Sequence, residues 1–187
     1  MAWPSERRSE SRDRILLSAE RLFTERGFDG VSIDQVMQDA GMTRGAFYAH
    51  FKSKRELYAE AISSAAKRME ARHPASTDEL IRRYLSIQHL ESKAGSCPLA
   101  FLVSDIGQRD TQIRETYTRI FNALAGKLGG EPGSEPDDAA LRTLVLMVGG
   151  VAVARAINDA DLAERVLEAC REGALDQCAS SAEQRLQ

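Results

Sequence analysis

Residues 31–58 read VSIDQVMQDAGMTRGAFYAHFKSKRELY, and the spacing of polar, apolar and glycine positions in this stretch decides how the rest of the chain is organised. Ser32 precedes a short apolar pattern and Gln35 stands three residues later. This is the capping-box arrangement, in which hydroxyl and carboxamide each satisfy a backbone N–H that the helix cannot, so a helix start is predicted at Ser32. That helix buries Ile33, Val36, Met37 and Ala40. Gly41 follows the last apolar position, where a residue tolerant of the left-handed conformation turns the chain without a steric penalty. Thr43 then caps a second short helix, with Ala46, Phe47 and Phe51 supplying apolar contacts and Arg44, Gly45, Tyr48 and His50 left outside the core. Two short helices joined by a tight glycine turn form a helix-turn-helix, whose second helix can enter the major groove of DNA.

Working outward, Ile15, Leu16, Ala19, Leu22 and Phe23 mark one apolar face of a helix over Ser9–Arg26, ended by Gly27. Leu22, Phe23, Phe28, Ile33, Val36, Phe47 and Phe51 are then the expected shared core of a three-helix unit. Ser53 and Glu56 form a second capping box, opening a longer helix through Arg72 that Pro74 ends, with Leu57, Ala61, Ile62, Ala65 and Met69 at helical spacing. This helix leaves the N-terminal unit and enters the second half, a mechanical link between the two.

Helices are predicted over Thr77–Ser92, Cys97–Gln108, Asp110–Leu128, Asp137–Asn158 and Asp159–Ala179, with loops at Lys93–Ser96, around Gly107–Asp110 and through GGEPGSEPD at 129–137. No stretch alternates with period two, so the chain is expected to be all-α, with about nine helices. A helix-turn-helix domain is expected over 1–55 and a helical domain over 56–187. In the helix from Asp137, LVLMVGGVAVA is apolar nearly all round, which requires burial on most faces. Gly149 and Gly150 each cost about 1 kcal/mol relative to Ala there, a cost that close helix approach would offset. The last two helices offer more apolar surface than one small domain covers. A homodimeric four-helix interface is expected, with Val148, Val151, Ala152, Leu162, Val166 and Cys170 as its candidates.

Composition narrows the classes of function. The chain has 187 residues, 43% of them hydrophobic, enough for a sizeable core. A net charge of −3 conceals an uneven distribution: Arg44, Lys52, Lys54 and Arg55 fall within 40–55 with no acid among them, whereas 131–187 is acidic. A nucleic-acid-binding protein needs only such a local basic patch. No uninterrupted apolar run approaches the roughly 18 residues of a membrane span, and the N-terminus lacks a secretion signal, so a cytoplasmic protein without membrane contact is expected. Three cysteines make no disulfide framework, and His50, His73 and His89 have no metal-ligand spacing with them. No metal, cofactor or catalytic constellation is visible, and an enzyme is not expected.

AERLFTERGFDGVSID followed by VMQDAGMTRGAFYAHFKSKRELY resembles the tetracycline-repressor (TetR) family, whose pattern is similar to xxAGVSxGxxYxHFxSKxxLL. The likeness is confined to about the first third of the chain. It implies a homodimer on a palindromic operator near a promoter, usually a repressor, released when a small molecule enters the C-terminal domain. Carried over by position, Thr43, Arg44, Gly45, Tyr48 and His50 look like recognition-helix contacts, and Ser32 and Lys54 like phosphate contacts. Arg44 is the best candidate for base readout, since a guanidinium suits a bidentate bond to guanine. GSCPLAFLVSD at 95–105 looks like a Gly-Cys-Pro segment of one subset of the family. Pro98 suits a first helical position, which would put the Cys97 sulfur at a helix N-terminus, where a thiolate is stabilised. Cys97 is then either a sensor of electrophiles or a small buried residue. His89, Phe101, Tyr117, Phe121 and Met147 are the soft and aromatic candidates for an effector pocket, each with a core role as the alternative. Asp105 and Arg155, charges in apolar helices, either pair with each other or hold a polar ligand. The competing function is an all-helical DNA-binding activator or interaction protein without a ligand.

Overall fold

The computed structural model describes residues 5–70, 76–91, 97–129 and 135–185. The predicted helix end at Arg72–Pro74, His73, the Lys93–Ser96 loop and most of the 129–137 loop lie outside them. The described residues contain helices and no strand. In order these are α1 (Ser5–Arg26), α2 (Ile33–Asp39), α3 (Arg44–Phe47), α4 (Lys54–Glu70), α5 (Thr77–Tyr84), α6 (Ile87–Glu91), α7 (Pro98–Phe101), α8 (Val103–Ile106), α9 (Thr111–Leu128), α10 (Asp138–Ala156) and α11 (Ala160–Arg185).

The capping chemistry of the N-terminal unit forms as its residues dictate. Ser32 Oγ accepts from Gln35 N at 3.1 Å, and Gln35 Oε1 accepts from Ser32 N at 2.8 Å. At the other end of α2, Gly41 takes φ +66°; its N–H donates to the Gln38 carbonyl and that of Met42 to the Met37 carbonyl. These two bonds are the Schellman closure, which a side chain at Gly41 would strain. Before α4, Ser53 Oγ accepts from Glu56 N, but the Glu56 carboxylate takes the N–H of Lys52, one residue ahead of the cap. Ion pairs Arg12–Glu60 and Glu20–Arg68 lace α1 to α4.

Among the described residues eleven helices stand where about nine were expected, because two of the predicted ones are broken. Thr77–Ser92 divides at Leu85 (φ −91°, ψ 60°), whose side chain is fully buried. Ser86 then caps α6 by accepting from His89 N at 3.2 Å. The carbonyls stranded at the end of α5 are taken by side chains: His89 Nδ1 lies 2.6 Å from the Tyr84 oxygen, and Arg171 reaches that of Leu85. Cys97–Gln108 divides at Leu102, and there Arg155 donates to the Phe101 carbonyl while the Tyr117 hydroxyl donates to that of Leu99 at 2.9 Å.

Two cores result. The first joins α1 to α4 with Leu102, Ile106 and Ile113, so the first half of α4 (Leu57, Tyr58, Ala61, Ile62) and the start of α9 pack with the N-terminal unit. The second gathers α5, α7, α10 and α11 around Ile81, Leu85, Leu99, Leu144, Met147 and Val151. Gly150 lies against α11: a Cβ there would stand 2.9 Å from Cys170 Cβ and 2.9 Å from Leu85 Cδ2. α10 is long and apolar enough to cross a membrane, but Leu144, Met147, Val151 and Ala154 along it are buried in this core.

Candidate nucleic-acid interface and internal cavity

The Schellman turn after α2 presents Thr43, Arg44, Gly45 and Tyr48 outward, Tyr48 with 61% of its surface exposed, while Phe47 and Phe51 anchor the segment beneath them. Arg8 donates to the Ala49 carbonyl and Arg14 to that of Ala40, fixing both ends of the turn-and-helix unit to α1. Arg44 is exposed and paired with Asp34 of α2 at 2.8 Å. His50 turns the other way: its Nε2 lies 3.0 Å from Ser11 Oγ, its Nδ1 is buried, and burial with Arg8 and Arg12 nearby lowers its pKa. Ser32 is exposed at the start of α2 with its hydroxyl engaged in the cap. Lys54 lies with its ammonium 4.2 Å from the centre of the Phe28 ring, and burial lowers its pKa.

Behind Phe28 is a polar node. Asp105 of α8 accepts from the Phe28 N–H at 3.2 Å, from the Tyr58 hydroxyl of α4 and from Arg109 at 3.1 Å. Arg109 also holds Asp29 at 2.8 Å and stacks on the Phe28 ring. The side chain of Tyr58 is completely buried, and burial raises its pKa further above the ordinary phenol value, helped by Asp105. The expectation that Asp105 and Arg155 pair with each other is therefore corrected. Arg155 donates to the carbonyls of Phe101 and Thr24 and stacks 4.3 Å over Phe101, which satisfies it through backbone oxygens.

Further along α4, a cavity of about 800 Å³ opens between α4, α5, α6, α7 and α9. His89 and Cys97, both expected pocket residues, are on its wall. Asp105 and Arg155 are in the junction just described, and Met147 is fully buried in the second core. Phe101 sits behind His89, with ring centres 6.1 Å apart, Tyr117 is tied to the Leu99 carbonyl, and Phe121 packs against the second core. Cys97 does cap α7 in extended geometry, but it is 2% exposed. Burial pushes its thiol pKa up, outweighing the lowering by the Tyr84 hydroxyl and the Ala100 and Leu99 N–H groups. The thiolate expected at this helix N-terminus is thus disfavoured, because desolvation of the anion exceeds what the helix end returns.

On the outer side of α10 and α11, Val145 (59%), Val153 (53%) and Leu162 (43%) are exposed, with Ala152 and Val166 half-buried. Val148 and Val151, expected there, face the second core instead. A helix apolar all round carries no phase in its sequence, and packing partners alone decide which side turns out.

Residues 15–61 match the family model described as bacterial regulatory proteins, tetR family. The HTH-type transcriptional regulator YxaF of Bacillus subtilis is 27% identical over 161 residues, covering 77% of this chain and 84% of its own length. YerO of the same organism is 41% identical over 49 residues, 26% of this chain but only 17% of the relative. The solved TetR-family regulator from Cytophaga hutchinsonii superposes with a TM-score of 0.74 at 16% identity, covering 94% of this chain and 98% of that one. Residues 15–61 thus carry a TetR-type helix-turn-helix segment, and the rest of the chain shares the helical fold of that solved regulator.

The cations at the cavity, Lys67, Arg83, Arg119 and Lys127, and the Tyr84 hydroxyl among them are functional candidates that the sequence did not single out. Arg119 and Lys127 are spaced by about two turns on α9, which was the one available signal. Alone it is indistinguishable from an ordinary wet helix face.

Proposed function

We propose that this chain is a dimeric transcription regulator that binds a palindromic operator, acts as a repressor, and is released when a small molecule occupies the cavity. The supporting observation is the continuity of α4. Its first turns pack on the helix-turn-helix unit through Lys54, Leu57 and Tyr58, and its later turns line the cavity through Ser63, Ala66, Lys67 and Met69. An occupant that favours one position of α4 shifts the two reading heads away from half-sites one DNA turn apart, about 34 to 36 Å. It does so only by binding one of the two arrangements better than the other.

In this scheme Thr43, Arg44, Gly45 and Tyr48 meet base edges, and Ser32 and Lys54 meet phosphates. Arg44 exchanges its exposed pairing with Asp34 for guanine, a pairing worth only about 0 to 1 kcal/mol. His50 serves by holding the segment to α1. The stripe Val145, Gly149, Val153 is the dimer face, with Leu162 and Val166 beside it. Gly149 fits this reading: a Cβ there would meet nothing within 4 Å among the described residues, which leaves room for a second copy to approach the helix backbone.

The test is to select DNA with the purified protein and measure affinity for the selected site by fluorescence anisotropy. Arg44→Ala is expected to weaken binding by about 1 to 3 kcal/mol and relax one base position. Unchanged affinity and sequence preference would remove Arg44 from the reading face; recovery of no preferred sequence would remove the operator reading itself.

A further inference from the structure

We infer that the cavity selects an amphipathic organic anion, an apolar body carrying a carboxylate or similar head, with the head at the mouth. This rests on the reading of the cavity as the effector site. The charges on its wall are all of one sign: Lys67 from α4, Arg83 from α5, and Arg119 and Lys127 from α9, with no Asp or Glu among the described residues that line it. All four are exposed, so they ring the entrance, whereas Leu99 and Tyr84 are buried to within 1% and 3%. The site thus grades from a cationic rim to an apolar interior, which matches a molecule with a charged end and a greasy end. A cationic ligand would meet like charge at the entrance, and a neutral one would gain nothing from it.

The interior also holds a polar group free to bond a ligand. The Tyr84 hydroxyl is buried with no hydrogen-bond partner of ordinary geometry among the described residues, the Cys97 sulfur lying beside it. It offers a hydrogen bond to one acceptor on the ligand body. Rim charges in water are screened over roughly 8 Å at physiological ionic strength, so they act as a group on entry and on the head, not as one buried pair.

Three probes of matched size separate the possibilities: 1-naphthaleneacetate, 2-(1-naphthyl)ethanol and 2-(1-naphthyl)ethylamine, titrated calorimetrically into the full-length protein. The acid is expected to bind about tenfold more tightly than the alcohol, the scale that several exposed ion pairs reach together, and the amine most weakly. Lys67→Gln with Arg119→Gln, which removes two of the four rim charges, should lower the affinity for the acid about threefold and leave the alcohol unmoved. Leu124→Trp, which fills the cavity, should abolish binding of all three, with circular dichroism showing that each variant is folded. Alcohol or amine binding as tightly as the acid, or an acid affinity indifferent to the double substitution, overturns the anion selection and leaves the cavity as a binding site. Binding of none of the probes, or binding that survives Leu124→Trp, overturns the cavity reading with it.

Discussion

Removing the Asp105 carboxylate tests whether the junction between the helix-turn-helix unit and the C-terminal helices is held by the polar node. In Asp105→Ala the fully buried Tyr58 hydroxyl loses its acceptor, which costs about 1 to 3 kcal/mol for an unsatisfied buried group. The Phe28 N–H loses a longer bond, of 3.2 Å, and adds about 0.5 to 1 kcal/mol. Arg109 is not stranded, because it keeps Asp29, so the full penalty of breaking a buried ion pair does not apply. The side chain of Asp105 is 18% exposed, so water recovers part of the loss, and a total of about 1 to 3 kcal/mol is expected. Tyr58→Phe alone should cost about 1 to 2 kcal/mol, since it removes the donor and leaves Asp105 its other partners. The informative quantity is the double variant. With no hydroxyl to leave unsatisfied, Tyr58→Phe should offset about 1 to 2 kcal/mol of the Asp105→Ala loss. Urea unfolding followed by far-ultraviolet circular dichroism, at one fixed protomer concentration, measures all three. Strictly additive single effects would refute the reasoning, because then Asp105 would not be what satisfies the Tyr58 hydroxyl.

The two adjacent glycines of α10 should behave oppositely. Gly150→Ala drives a Cβ into Cys170 and should destabilise the protein by about 1 to 2 kcal/mol net of helix propensity, whereas Gly149→Ala meets nothing within its own chain and should weaken dimerisation in analytical ultracentrifugation. A Gly149→Ala protein that gains about 1 kcal/mol with its dimer intact would move the interface elsewhere. Cys97 should react with iodoacetamide far more slowly in the native protein than after unfolding, owing to burial and a raised thiol pKa; rapid native labelling at neutral pH would show the thiol to be accessible. For His50 the folded pKa is depressed, so the unfolded state takes up the proton first, and its contribution is full above the unfolded value of about 6.5 and lost as pH falls through the folded one. His50→Gln should flatten the stability curve below pH about 6.5, and an unchanged slope there would assign the acid sensitivity to other groups.

The helix-turn-helix was legible because its signals are local. Ser32 with Gln35, and Gly41 after Ala40, carry their own geometry, and the aromatic anchors Phe47 and Phe51 follow from spacing. Asp110, Asp137 and Asp159 likewise named the starts of α9, α10 and α11, each accepting an N–H three residues on. The breaks at Leu85 and Leu102 were not legible, since both lie in runs with sound helical periodicity. What stops these helices is distant: Arg171 and Arg155, from elsewhere in the chain, take the carbonyls that a continuous helix would have used. Ser86 was a cap in plain view, but a serine within an amphipathic pattern reads equally well as a wet-face residue. The cavity failed for the same reason as the breaks, because its wall is assembled from five helices and no one of them shows it.

The break at Leu102 also indicates how the two halves can move. α7 contributes Cys97, Leu99 and Ala100 to the second core, while Leu102 and Ile106, on either side of the start of α8, belong to the first. α4 shares its early turns with the first core and its later ones with the cavity wall. A ligand that displaces the later turns of α4 therefore cannot carry the reading head alone. Leu57, Tyr58, Leu102, Ile106 and Ile113 are packed together, and close-packed interiors shift as bodies instead of stretching. Under the proposed release the whole first core, α8 included, turns against the second, and the chain between α7 and α8 is where the backbone would absorb that turn. Arg155 spans this place, bonding Phe101 just before the break and Thr24 near the end of α1, so any such rotation must lengthen one of its two bonds. Its guanidinium is exposed enough for water to replace the lost partner, which keeps the barrier low.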